Sequence, residues 1–146
     1  MNVINSMRLI FPSKSRNESF ARCAAACFAA QLDPTLEEIG DLKTAVSEAV
    51  TNCIVHAYPD KIGDILLKGR ILEDRVLELT VRDWGKGIED VEKAREPLFT
   101  TGGEERSGMG FTIMESFTDT IRIRSHPGKG TTVIMRRRIA ERAGRK

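Results

Sequence analysis

No run of apolar residues in this 146-residue chain approaches the roughly 20 that span a bilayer; the longest, Ala24 to Ala30 with its neighbours, falls far short. No charged-then-apolar signal opens the chain, so a cytoplasmic protein without membrane attachment is expected. CxxC pairs are also missing. Cys23 and Cys27 stand four apart and Cys53 lies on a later helix, a spacing that does not fit a zinc site. All three fall at apolar positions and are expected as small core hydrophobes, with a reactive or ligand role as the alternative. An excess of one charge is lacking too: 23 Lys and Arg face 21 Asp and Glu, for a formal net charge of +2. The Arg136-Arg137-Arg138 cluster and the Ala140 to Lys146 tail are basic, but no recognition motif accompanies them, so direct DNA binding is not expected. Neither GxxxxGK[ST] nor a strand-GxGxxG-helix unit occurs, which excludes P-loop and Rossmann nucleotide sites. There is no internal repeat.

What is present suits one small domain, since 40% hydrophobic residues in a chain of this length suffice for a single core. A strand is expected near Met7 to Phe11. Ser15-Arg16-Asn17-Glu18 has capping-box form and opens a helix running to about Gln31. Asp33-Pro34 breaks the chain, and Thr35-Leu36-Glu37-Glu38 starts a second helix with another capping box, which Tyr58-Pro59-Asp60 stops. Ile65 to Leu72 and Val76 to Arg82 alternate as two strands around Glu73-Asp74. Ile121 to Arg124 and Thr132 to Arg136 form another pair around Pro127-Gly128-Lys129-Gly130. Helices and strands segregate, so an α+β two-layer sandwich with a mixed, largely antiparallel sheet is expected.

Three motifs carry chemistry. In Asp41 to Ala57, Leu42, Ala45, Val46, Ala49, Val50, Cys53, Ile54 and Ala57 define an apolar stripe, while Glu48, Asn52 and His56 recur every four residues, drifting about 40° per step along another face. A carboxylate and an amide oxygen one turn apart suit a Mg²⁺-phosphate site, and the carboxylate can take a proton from an attacking hydroxyl; a solvated polar stripe is the alternative. Asp83-Trp84-Gly85-Lys86-Gly87-Ile88 follows a strand. There a fixed carboxylate can accept from an exocyclic amine, and Gly85 and Gly87 let backbone approach a ligand; alone, the motif also describes a tight turn. Ser107-Gly108-Met109-Gly110 then enters the helix-like Phe111 to Phe117, a glycine-rich helix start of the kind that binds phosphate. Asp90 to Ser107 between them is a long polar stretch with Pro97, Thr100-Thr101 and Gly102-Gly103, suited to a mobile segment.

Taken in order, ExxxNxxxH, DxGxG and GxG resemble the N, G1 and G2 boxes of the GHKL (Bergerat) ATPase and kinase superfamily, which implies that two-layer architecture over residues 1–138 and leaves 139–146 as a basic, disordered tail. Within it the chain is similar to the bacterial anti-sigma factor serine kinases of sporulation from about Met7 to about Arg137. The similarity is carried by Asn17-Glu18-Ser19-Phe20-Ala21-Arg22, Ala30 to Thr35, Val46 to Asn52, Pro97-Leu98-Phe99-Thr100-Thr101 and Arg106 to Glu115.

The resemblance implies an ATP:protein serine kinase using ATP/ADP and Mg²⁺, with Glu48 as general base, Asn52 as Mg²⁺ ligand and Asp83 as adenine-reading carboxylate. Gly85, Gly87, Gly108, Met109 and Gly110 would shape the pocket. Thr100, Thr101, Arg106 and Ser107 would reach phosphate from the ATP lid, where Gly102-Gly103 replaces charged residues and leaves lid stiffness open. Thr131 or Thr132 would support adenine recognition, the choice between them being open. Trp84 stands where a small or acidic residue is usual and is expected to point away from the base. His56 is expected to cap or pack. Arg22 would hold a sigma factor of the sigma F type or its anti-anti-sigma factor, a solvated helix arginine being the alternative, and a homodimer is implied. Three other readings stand beside it: a kinase for the stress-response sigma B, a sigma-binding module without turnover, and a histidine-kinase catalytic domain. The last is disfavoured because only His56 and His126 exist and no long dimerising helix precedes the site.

Overall fold

The structure, a computed structural model, describes residues 1–88 and 110–141. Its longest helix, α2 (Leu36–Asn52), starts at the expected capping box. Thr35 Oγ1 accepts from the Glu38 N–H at 3.1 Å, and Glu38 Oε1 accepts from the Thr35 N–H at 2.9 Å, an exchange worth about 1 kcal/mol. Helix α1 (Asn17–Ala29) has no such cap: Arg16 occupies the capping position in helical geometry without a side-chain bond, so the box read at Ser15 does not form. A 3-10 turn, Ala30–Leu32, follows α1. It ends at Asp33 in the left-handed region, φ 48°, which reverses the chain into α2.

The described residues add five strands, β1 (Val3–Pro12), β2 (Asp64–Leu72), β3 (Val76–Asp83), β4 (Thr120–His126) and β5 (Gly130–Arg138), with a short helix α3 (Gly110–Ser116) before β4. Their spatial order is β1-β2-β3-β5-β4 and the four pairings are antiparallel. The α+β two-layer expectation holds. The sheet is antiparallel throughout the described residues rather than mixed, because the β4-β5 hairpin inserts β5 beside β3; β4 runs parallel to β3 but sits one strand away.

Period-two alternation sorts the strands into two faces. Met7, Leu9, Phe11, Ile65, Leu67, Leu77, Leu79, Val81, Ile121, Ile123, Val133 and Met135 turn toward the helices and join the core cluster with Ala21, Ala25, Leu42, Ala45, Val46, Ala49, Val50 and Met114. Complete burial of side chains such as Ile65, Leu67, Val46 and Val50 stabilises by roughly 1.5–3 kcal/mol each. Arg137 fastens β5 to the helical layer through Asp41 of α2, Nη1 to Oδ2 at 2.6 Å, and donates to the Phe117 carbonyl at 3.0 Å.

Two further expectations need correcting. Cys23 and Cys27 are exposed; only Cys53 is buried. The buried side of α1 is Ala21, Ala25, Phe28 and Ala29, and positions 23 and 27 fall on the opposite side, beside half-exposed Phe20. The tail read from residue 139 does not begin there: Ile139 is fully buried, the Ala140 N–H donates to Glu38 Oε2 at 3.0 Å, and Arg75 bonds the carbonyls of Leu32, Ile139 and Ala140. Among the described residues no helix is long and apolar enough to cross a membrane.

Candidate functional site

Helix α2 does not stop at Asn52. Its last turn widens into a π turn, Cys53–Ala57, closed by the Tyr58 N–H on the Cys53 carbonyl at 3.1 Å, the kind of local widening that recurs at functional sites. The widened turn meets the end of β3. The Ala57 carbonyl accepts from the Lys86 N–H at 3.3 Å, and a Cβ on Gly85 would overlap Ala57 backbone and side chain. Only glycine allows that approach. Gly87 is held at φ 77° with the His126 carbonyl where a Cβ would stand, and Gly128 N–H donates to the Lys86 carbonyl at 2.7 Å. The Asp83 to Ile88 motif is thus wedged between the end of α2 and the β4-β5 turn.

Asp83 is buried on the helical face of β3. Its Oδ1 accepts from the Gly85 N–H at 2.9 Å and the Thr131 N–H at 3.2 Å, and the Cys53 thiol bonds the same carboxylate. Burial pushes its pKa up, and the three hydrogen bonds only partly oppose the shift. Burial and the neighbouring carboxylate push the Cys53 thiol well above its usual range, so it stays protonated and donates. A carboxylate has about four acceptor positions; three are engaged here, which leaves capacity for one outside donor such as an exocyclic amine.

The structure separates the two threonines. Thr131 is buried on the Asp83 side, with its Oγ1 at 2.7 Å from Ser125 Oγ, whereas Thr132 pairs with Arg82 on the other face of the sheet. Ser125 Oγ also accepts from the Ile88 N–H at 2.7 Å, fixing the far end of the motif. Trp84 points outward, 43% exposed, with the Arg82 guanidinium 4.8 Å from its ring centroid.

Glu48 and Asn52 are half-buried one turn apart on α2, and His56 is half-buried in the π turn. Asn52 directly precedes Cys53, whose thiol bonds the Asp83 carboxylate, so the C-terminal end of α2 arrives at the end of β3. Gly110 begins α3, which packs on α2. Thr100, Thr101, Arg106, Ser107, Gly108 and Met109 lie outside the described residues, as do Gly102 and Gly103. Arg22 lies on α1 with its Nε 3.0 Å from Glu18 Oε2, one turn back, and is partly exposed. No group of three or more His, Cys, Asp and Glu among the described residues could hold a metal by itself. An ion here would be held by Asn52 together with ligand oxygens, the usual manner for Mg²⁺ on a phosphate.

Sequence reasoning missed Cys53, Tyr58 and Ser125. Tyr58 is the chain's one tyrosine; its hydroxyl accepts from the Trp84 N–H at 2.7 Å and donates to the Asp64 carbonyl at 2.8 Å, pinning the end of β3 to the start of β2. Nothing local marks it, because its position before Pro59 reads only as a helix stop.

A family model described as the histidine kinase-like ATPase domain matches residues 11–137. The anti-sigma F factor of Caldanaerobacter subterraneus subsp. tengcongensis is 61% identical over 140 residues, covering 95% of this chain and 97% of that protein. The anti-sigma F factor of Geobacillus kaustophilus is 55% identical over 138 residues, covering 94% of each. The solved RsbU and RsbW domains of Rv1364c from Mycobacterium tuberculosis superpose with a TM-score of 0.68 at 19% identity, over 95% of this chain and 34% of that one. The histidine kinase domain of the Erythrobacter litoralis EL346 blue-light activated histidine kinase gives 0.58 at 22% identity, over 84% and 60%. These two structural matches speak for the fold alone.

Proposed function

The chain belongs to the anti-sigma F factor family within the histidine kinase-like ATPase domains, and from that premise we propose that it binds and inhibits a sporulation sigma factor of the sigma F type. In the same reading it is an ATP-dependent protein serine kinase that phosphorylates, and so inactivates, the anti-anti-sigma factor. Identity of 61% across nearly the whole length of a relative named anti-sigma F factor is the observation that carries the choice of sigma factor. The site carries the choice of chemistry.

Asp83, held by the amides of Gly85 and Thr131, accepts from the adenine amine. Asn52 would hold Mg²⁺, which would supply charge neutralisation at the phosphates. Glu48 takes the proton of the acceptor serine as its oxygen bonds the γ-phosphorus; the bond from that phosphorus to the bridging oxygen breaks and ADP leaves. Thr100, Thr101, Arg106, Ser107 and the backbone of Gly108, Met109 and Gly110 bind the phosphates from the lid. Arg22 contributes to the partner surface on α1. A homodimer fits the exposed side of α1 and its edge-strand neighbour, where Phe20 is 50% and Ile4 68% exposed.

Immobilised full-length chain tests the inhibitory half, with sigma factors of the F and B types passed over it in ATP and in ADP. Retention of the F type, strengthened by ATP and weakened by Arg22→Ala, is the expected result. Retention of the B type instead, or of neither, overturns the assignment.

A further inference from the structure

The face of the sheet turned away from Asp83 is strongly cationic. Alternation puts Arg8 of β1, Lys68 and Arg70 of β2, Arg82 of β3, Arg136 and Arg138 of β5, and Arg122 and Arg124 of β4 on that one side. The strand positions there hold only two acids, Asp64 and Glu78. Eight cations less two anions give this face +6, so the formal +2 of the whole chain leaves the remainder at −4. A modest net charge hides a strong separation of charge.

Glu78 is 5% exposed and is shared by two arginines, Arg70 Nε on Oε1 at 2.7 Å and Arg136 on Oε2 at 2.8 Å. It fixes both guanidinium groups along the middle of the face. Arg8, Arg82, Arg122 and Arg124 are exposed. None of these four forms an ion pair among the described residues, and Arg82 only stacks on Trp84. Arg122 and Arg124 stand two residues apart, about 7 Å, and five strands make the face roughly 19 Å wide. Between the cations lie Ser6, Thr80, Thr120 and Thr132, whose hydroxyls can donate to phosphate.

We propose that this face binds the phosphodiester backbone of duplex nucleic acid without reading its sequence. Arginine interspersed with hydroxyls is the composition of phosphate contacts. Trp84 and His126 are the face's aromatic side chains, too few for the stacking platforms that bind single strands. The exposed aliphatic side chains of the sheet, Val3, Ile4 and Ile10, all belong to the edge strand β1, at the opposite edge from Arg122 and Arg124 on β4, and do not interleave with those cations as a lipid surface requires. The absence of a recognition motif stands, because a backbone contact needs none. Since the face lies across the sheet from Asp83, bound duplex leaves the nucleotide site free, and the proposal does not depend on kinase activity.

The test is fluorescence anisotropy of a labelled duplex of about 20 base pairs with the full chain, between 50 and 200 mM salt. Four phosphate contacts predict that affinity falls about 10²-fold over that range. The double variant Arg122→Glu, Arg124→Glu should bind weakly and lower the salt slope by about two contacts, with its affinity for ATP unchanged. Arg122→Gln, Arg124→Gln serves if the reversal perturbs folding. An unchanged slope in both variants overturns the proposal. So does loss of binding on neutralising Arg142, Arg145 and Lys146 instead, or stronger binding to phosphatidylglycerol vesicles than to duplex.

Discussion

The amide of Thr131 donates to Asp83 Oδ1 at 3.2 Å, joining the first turn of β5 to the last residue of β3 at the point where the π turn of α2 arrives. Because the bond comes from backbone, the threonine side chain is not what holds the carboxylate. Asp83→Asn should lower affinity for ATP and ADP alike by 10-fold or more, the scale of a lost charge-assisted hydrogen bond of about 1.5–3 kcal/mol. Thr131→Val should cost less and Thr132→Val nothing measurable, as read by titration calorimetry. Equal affinity of wild type and Asp83→Asn removes the carboxylate from the adenine site.

Asn52 is half-buried at the end of α2, one residue before the Cys53 that bonds Asp83. Asn52→Ala should weaken ATP binding in the presence of Mg²⁺ and leave binding without the ion nearly unchanged. Calorimetry with and without the ion reads that difference, and an identical loss in both conditions rejects the ligand role.

Tyr58→Phe leaves the Trp84 N–H, a partly buried donor, without its acceptor, at a cost of about 1–2 kcal/mol. For a domain of this size the thermal midpoint should drop by roughly 3–10 °C. Unaltered melting by circular dichroism means that the hydroxyl does not tie β3 to β2.

Acid should destabilise the fold. Burial pushes Glu78 up, but Arg70 and Arg136 pull harder and hold it below the usual glutamate value of 4.5; Glu38 is held low in the same way, where burial is outweighed by hydrogen bonds from Thr35 and Ala140. A carboxylate whose folded pKa lies below its unfolded one contributes stability above pH 4.5 that disappears as pH falls through the folded value. Asp83, raised by burial, acts in the opposite sense, since its ionised form is the costly one when folded. With two groups against one, the melting temperature should fall from pH 5 downward, and Glu78→Gln should flatten the fall. A midpoint constant to pH 3 contradicts this balance.

Legibility in the sequence followed locality. The capping box at Thr35, the paired strands and the apolar stripe of α2 depend on residues a few positions apart, and the structure has them as expected. Ser15 has the same capping letters, but the chain enters α1 with Arg16 already helical, so the geometry a cap requires is missing. Cys23 and Cys27 are apolar by composition, yet which side of α1 is buried depends on how α1 meets α2 and the sheet. The choice between Thr131 and Thr132 needed the pairing of β5 with β3, for a one-residue change moves a side chain to the other face. The cationic face escaped notice for the same reason: its members are spread from Arg8 to Arg138 and converge only in the sheet.

The kinase claim is tested most directly by transfer of radiolabelled γ-phosphate from Mg²⁺-ATP to the anti-anti-sigma partner of the sigma F type, comparing wild type with Glu48→Gln at saturating nucleotide. The account predicts label on serine, slowed about 10²-fold or more in the variant while ATP affinity stays the same. Equal rates in the two proteins, or ATP bound with no label transferred, contradict it.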